Sequence, residues 1–312
     1  MTTPDASRYA ALSVESAAVV RVESAWGRAR RNWSVRIGGG ALLLLLLIAL
    51  AAPYMGTVDP TLFDAASRDL LPGQAGEITT LEGETVKHTF LMGSDSFGRD
   101  IYSRVVYGTR VSLLVGVCTA LLALAFGIVF GLTSGFLRWV DGILMRVMDG
   151  VMAIPAILLA IALVSLSTAG LVAVVVAIVV PEIPRVVRLV RSVVLSIREE
   201  PYVEAAIAVG TRTPLLLVRH VLPNTIAPLI VQATYIAASA ILIEAILSFL
   251  GVGIPPQTPT WGNIMAEGRT LFRVFPHNIL FPGIFLALTV LAVNMLGDGL
   301  RDALDPRMER RT

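Results

Sequence analysis

Residues capable of chemistry are sparse in this chain, and their spacing argues mostly against catalysis. The three histidines, His88, His220 and His277, fall in separate predicted loops with no ligand spacing among them, so no metal site is expected. A phosphate-cradling loop needs a Gly-Lys-Ser/Thr unit, yet the one lysine, Lys87, stands in Val-Lys-His. No catalytic residue, ATP site or other cofactor is therefore expected here. Ser248 has no nucleophile-elbow pattern around it, and no histidine lies in an apolar run to serve as its base. Cys118 is the single cysteine and reads as a small packing residue. Two acids remain as candidates for a polar translocation path. Glu244, in Ile-Leu-Ile-Glu-Ala-Ile-Leu-Ser, lies deep in an apolar run, where an unpaired charge costs on the order of 2–3 kcal/mol or more. Either it lines a path, or a neighbouring helix satisfies it, or it is held protonated. Asp149, like Glu182, stands nearer the end of its run, where solvation is easier.

The elements that must position these residues are membrane helices. Hydrophobic residues make up 55% of the chain and charged ones 15%, which is the composition of a membrane protein. A bilayer needs about 20 apolar residues per helix. Six runs approach that length: Ile37–Tyr54, Val111–Leu137, Val147–Leu166, Ala169–Val190, Thr225–Leu250 and Asn278–Leu296. The expected fold is all-α, a multi-pass integral membrane protein with about six transmembrane helices. The residues before the first run are too many and too arginine-rich for an ordinary signal peptide. Every second loop is basic, with arginines before the first run, between the second and third, between the fourth and fifth, and after the sixth. By the positive-inside rule both termini are cytoplasmic. The acidic segment 56–104 and the loop 251–276 then lie outside. The chain divides into a flexible cytoplasmic tail (1–34), a first helix with its external segment (35–106) and a five-helix domain (107–312). A formal net charge of +2 gives no reason to expect nucleic acid as a partner.

Within the inner loop 196–224, Pro201 suits a first helical position and Gly210 a C-terminal stop. Thr213-Pro214 repeats the start signal, and a second short helix over 215–222 is expected to end before Pro223. The result is two short helices joined by a glycine elbow. The second is apolar nearly all round, so part of it should meet a partner. Elsewhere, Gly127, Gly131 and Gly135 at four-residue spacing invite close approach of another helix. Phe97, Ile101 and Val105 suggest a short interfacial helix over Ser96–Arg110. The proline-rich loop with Pro255, Pro256 and Trp261 is a candidate external gate or contact for an external protein.

The loop resembles that of the permease subunits of bacterial ABC importers, which carries Glu-Ala-Ala, three residues, Gly, nine residues, Ile, one residue and Leu-Pro. Here those positions are Glu204, Ala205, Ala206, Gly210, His220 in place of isoleucine, Leu222 and Pro223. Arg219–Asn224, reading Arg-His-Val-Leu-Pro-Asn, is similar to the dipeptide, oligopeptide and nickel branch, and to the C-type subunit of its permease pair. Three further segments resemble that branch. They are Met92–Asp100 with Tyr107–Leu113, Leu247–Gly253 with Pro259–Asn263, and Gly297–Pro306. The resemblance implies the ABC importer permease fold and a place in the bacterial inner membrane. It implies as partners a homologous second permease, two ATPase subunits that hold ATP and Mg2+, and an extracytoplasmic substrate-binding protein. Glu204 to Arg212, including Thr211, would form the coupling helix seated in an ATPase cleft. The cargo implied is a di- or oligopeptide, with nickel complexes or opine-like solutes as alternatives. A rival reading is a carrier working alone with Glu244 as its titrating group.

Overall fold

The computed structural model describes residues 25–80 and 83–304. Helix α1 (Ala25–Arg31) and helix α2 (Trp33–Ala51) are separated at Asn32, whose side-chain oxygen accepts the Ser34 N–H at 2.8 Å and so caps a new helix. The loose tail expected over 1–34 is therefore corrected in part. Residues 1–24 lie outside the described residues, but 25–31 are helical and Arg28 Nε donates to the Ala303 carbonyl at 3.1 Å.

Helix α3 (Ile101–Phe136) is capped by Asp100, whose Oδ2 accepts the Ser103 N–H at 2.9 Å. Its 36 residues make it roughly 54 Å long, well beyond a bilayer core of about 30 Å. The separate interfacial helix expected over Ser96–Arg110 does not exist. Ile101 and Val105 belong to the first turns of α3 and are buried beneath a further short helix, whereas Phe97 precedes the helix and is exposed.

After α3 come α4 (Arg138–Met152), α5 (Ala156–Ser165) and α6 (Leu171–Ile197). A Cβ added at Gly127, Gly131 or Gly135 would run into Val186, Val190 or Val194 respectively. The partner predicted for the glycine stripe is thus a valine stripe at the same spacing on α6. Both sets ascend together, so α3 and α6 run in the same direction. Parallel helices oblige the chain between them to return along the molecule, and α4 and α5 make that return with an 88° bend. The bend falls before Pro155, which lacks an N–H and disfavours helix at the preceding residue. The straight third span expected over 147–166 is accordingly broken. Four described helices are long and apolar enough to cross a membrane, or five if the bent pair counts as one. The fourth expected run lies on α6, which carries Glu182, Arg185 and Arg188 along its length.

On the other side of α6 the chain forms α7 (Pro201–Ala208), α8 (Thr213–Leu216) and a wide π turn at Leu217–Val221. It continues directly into α9 (Leu222–Phe249). The last helices are α10 (Trp261–Gly268) and α11 (His277–Leu304). Buried side chains from α3, α5, α6 and α9 make the main core.

The acidic segment folds as well. It holds a hairpin of β1 (Gln74–Thr79) and β2 (Thr85–Phe90), paired antiparallel from Gln74 opposite Phe90 to Thr79 opposite Thr85. No strand is expected from the sequence reading, so the hairpin is an addition to the all-α plan. Beside it, the Ala66 N–H and the Thr79 hydroxyl hold the Asp64 carboxyl below its usual range. The Asp64 carbonyl packs so closely on Gly98 that a Cβ there would overlap it.

Candidate functional site

The elbow between α7 and α9 is built by local chemistry. Pro201 opens α7, where its missing N–H removes no helical bond. The helix closes on Gly210, which takes φ +80°, a conformation that L side chains rarely adopt. The Gly210 N–H reaches the Ile207 carbonyl at 2.9 Å and the Thr211 N–H reaches Ala206 at 3.1 Å, the paired bonds of a Schellman stop. Nothing lies within 4 Å of a Cβ at Gly210, so the glycine serves the backbone turn and not a packing contact.

The expected end of the second short helix before Pro223 is corrected. The π turn bonds the Leu222 N–H back to Leu217, five residues away, and Pro223 then sits in the first turn of α9, where a proline is tolerated. The short helix is in effect the root of α9. His220 ties the two legs together, with its ring centroid 6.4 Å from that of Tyr202. Asn224 Nδ2 donates to the Tyr202 hydroxyl at 3.2 Å and to the His220 carbonyl at 2.8 Å.

Burial divides the elbow into a rooted side and a presented side. Val203, Leu216 and Val221 are fully buried. Val209 is 84% exposed, Val218 60% and Leu215 52%, and Ile207 is exposed beside them. Glu204, Ala205, Arg212 and Pro223 also face open space, while Ala206, Thr211 and Leu222 are half-buried. An apolar surface of this kind at the head of a rigid turn is suited to a protein groove.

The other candidates fall apart from the elbow and from one another. Asp149 pairs with Arg188 of α6, with both side chains exposed. Glu244 is fully buried, and its Oε1 accepts the Ser248 hydroxyl at 2.8 Å. It lies five residues, roughly 8 Å, from the end of α9 at Phe249, so it is well off the middle of the span. Ser248 in turn sits against Gly253 and Gly262, and Gly251 at φ +81° ends α9. Asn263 Nδ2 then binds the carbonyls of Ile254, Pro255 and Thr258, at 3.0 to 3.2 Å, so the loop is wound around it. Trp261 is fully buried, its Nε1 donating to the Val105 carbonyl at 3.1 Å. Its ring anchors α10 to α3 and does not reach a surface where an external protein could touch it. Pro256 is exposed and Pro255 half-buried on the rim of this loop.

Sequence reasoning missed one charged cluster and, for Glu182, the arginine that pairs with it. Asp95, Arg99, Arg104 and Glu267 form one cluster at the acidic end, with Arg99 Nε 2.7 Å from Asp95 and Arg104 Nη2 3.2 Å from Glu267. Arg185 Nη1 binds both oxygens of the buried Glu182, at 2.9 and 3.1 Å. In the first cluster Asp95, Arg99 and Arg104 are near neighbours in sequence, but Glu267 comes from a distant segment and leaves no local signal. The second was legible, because an Arg three residues after a Glu shares its helix face.

Residues 123–310 match the family described as binding-protein-dependent transport system inner membrane component. A probable peptide ABC transporter permease protein of Sinorhizobium fredii is 48% identical over 299 residues, 96% of this chain and 95% of that one. The dipeptide transport system permease protein DppC of Alkalihalophilus pseudofirmus is 39% identical over 91% of this chain and 90% of its own length. The glutathione transport system permease protein GsiD of Pectobacterium atrosepticum is 38% identical over the same shares, 91% and 90%. Among solved structures, an inward-facing conformation of the MetNI methionine ABC transporter contains a chain with the same fold. It aligns with a TM-score of 0.51 at 18% identity, over 65% of this chain and 96% of that one.

Proposed function

Because the chain belongs to the family of binding-protein-dependent transport system inner membrane components, we propose that it is the transmembrane subunit of an ATP-driven importer carrying di- or oligopeptides across the bacterial cytoplasmic membrane. The names of its peptide, dipeptide and glutathione relatives support that cargo over nickel complexes or opine-like solutes. The chain itself performs no ATP chemistry in this reading. Two ATPase subunits hold ATP and Mg2+, a homologous permease completes the membrane unit, and a substrate-binding protein delivers from the acidic side. The basic end is cytoplasmic, as its arginines favour.

The observation that carries the proposal is the rigid elbow at the basic end, Schellman-capped at Gly210 and presenting Ile207, Val209, Leu215 and Val218. Because α9 grows out of the elbow without a break, a push on α7 is passed to a membrane helix as rigid-body motion. The elbow, with Glu204 through Arg212, is the point at which ATPase closure is coupled to the membrane helices. A carrier working alone on Glu244 has less support, since that acid is tied to Ser248 under the outer loop. The test is Gly210→Pro in the reconstituted complex. Proline fixes φ near −65° and cannot follow the +80° turn. Membrane insertion is expected to be normal and substrate-stimulated ATP hydrolysis to fall to the unstimulated rate. Full stimulation in the variant would sink the coupling role.

A further inference from the structure

The exposed faces of the membrane helices are not alike. Helix α11 presents Leu280, Ile284, Leu288 and Leu291, as a lipid-facing helix should. Helix α9 carries Tyr235, 55% exposed, with half-buried Gln232 and Ser239 on the same side, which continues toward the C-terminal end of the helix as Leu242 and Ile246. Ser239 is ten residues, roughly 15 Å, from the end of α9, about half the thickness of a bilayer core. At that level the Ser239 hydroxyl stands beside the Glu182 carboxylate of α6. Glu182 is fully buried, but the Arg185 side chain that pairs with it is 38% exposed. The hydrogen bonds of Arg185 run through Nη1, leaving Nε–H and the Nη2 amino group without a protein partner among the described residues. One turn further toward the basic end, Arg188 pairs with Asp149. Glu244 lies two and a half turns beyond Tyr235 and so points to the opposite side of α9.

A guanidinium with free donors half-way through a membrane is not tolerated by hydrocarbon, and such groups face a water-filled cavity or a partner charge. We propose that the face formed by Arg185, Glu182, Gln232, Tyr235 and Ser239 is one wall of an aqueous path, and that Arg185 binds the carboxylate of an anionic solute passing along it. Glu182 holds the guanidinium in place through one nitrogen. The planar fork left over, Nε and Nη2, matches the two oxygens of a carboxylate. Asp149 and Arg188 continue this polar stripe one turn toward the basic end. Only the identity of the solute, a peptide with a free C-terminus, rests on the importer reading.

The test uses thiol labelling of the complex in open membrane fragments, which wets both faces and needs no nucleotide or transport. In a Cys118→Ser background, Ser239→Cys and Gln232→Cys are treated with methanethiosulfonate reagents bearing a sulfonate or a quaternary ammonium. Rates are normalised to those of a free thiol. Both positions are expected to label, whereas Leu288→Cys does not. The sulfonate is expected to be favoured, and adding Arg185→Gln should reduce that preference by about tenfold, the scale on which a fixed charge concentrates counter-ions in a cleft. Should Arg185→Gln not assemble, Glu182→Gln provides the converse, since removing the paired acid should raise the preference. Ser239→Cys as inert as Leu288→Cys would overturn the path, with protein or lipid as the covering. A sulfonate preference indifferent to both Arg185→Gln and Glu182→Gln would overturn the role of Arg185. Neither result bears on coupling at Gly210, which is read by ATP hydrolysis.

Discussion

Gly98 and Gly210 both adopt positive φ, yet for different purposes, and the difference predicts different outcomes on substitution. At Gly210 the surrounding space is empty, so alanine meets only the backbone cost of the left-handed turn, about 1–2 kcal/mol. At Gly98 the same cost is joined by overlap with the Asp64 carbonyl, and neither backbone can yield cheaply. Gly98→Ala is therefore expected to destabilise by about 3 kcal/mol or more. Thermal unfolding of the purified, detergent-solubilised protein should show a clear drop in midpoint, where Gly210→Ala shows a small one. Equal midpoints for the two variants would refute the packing account of Gly98. Both glycines stand in motifs visible in the sequence. Only the second has a local signature, because the group that crowds Gly98 is thirty-four residues away.

Among the helices, the packing of α3 on α6 decides how the membrane region is assembled. Small residues let backbones approach without forfeiting side-chain contact. The side chain of Val190 lies 2.6 Å from where a Cβ of Gly131 would stand. Gly131→Ala should cost about 1–3 kcal/mol by overpacking. The double variant Gly131→Ala, Val190→Ala should recover part of that loss, since removing the valine methyls opens the needed room. A double-mutant cycle read by thermal unfolding measures the coupling, and strict additivity would mean the helices do not meet there. The glycine spacing was legible beforehand because four residues bring side chains to one helix face. Its partner and the parallel sense were not, since either depends on contacts between distant segments. The same holds for the break at Pro155, where the run of apolar residues continues through a proline and looks like one span.

The whole molecule has two chemically distinct ends, and each is fastened by its own device. At the acidic end, Asp95, Arg99, Arg104 and Glu267 join the segment that carries the hairpin to α10. Arg104 is 1% exposed, so removing one of its acids leaves a charge short of a partner. Glu267→Gln is expected to loosen this junction by on the order of 2–3 kcal/mol, reduced from the fully buried case because Glu267 keeps some water. Limited proteolysis should then cut residues 56–100 faster, while Glu77→Gln on the exposed face of the hairpin leaves the rate unchanged. Unaltered cleavage would show that the hairpin segment is held by other contacts. At the basic end the elbow is held by Val203, Leu216 and Val221 on its buried side and left open on the other.

By itself the sequence determined the membrane setting, the basic character of every second loop, the helix stop at Gly210 and the four motifs of the family. Each of these depends on composition or on neighbours within a few residues. Only the tertiary structure decided that Trp261 is an internal anchor, that Glu244 is tied to Ser248 beside the loop after α9, and that Ser239 of α9 meets Glu182 and Arg185 of α6. A residue's partner across helices is fixed by which faces meet. Hydropathy records how apolar a segment is, and it does not record what that segment packs against.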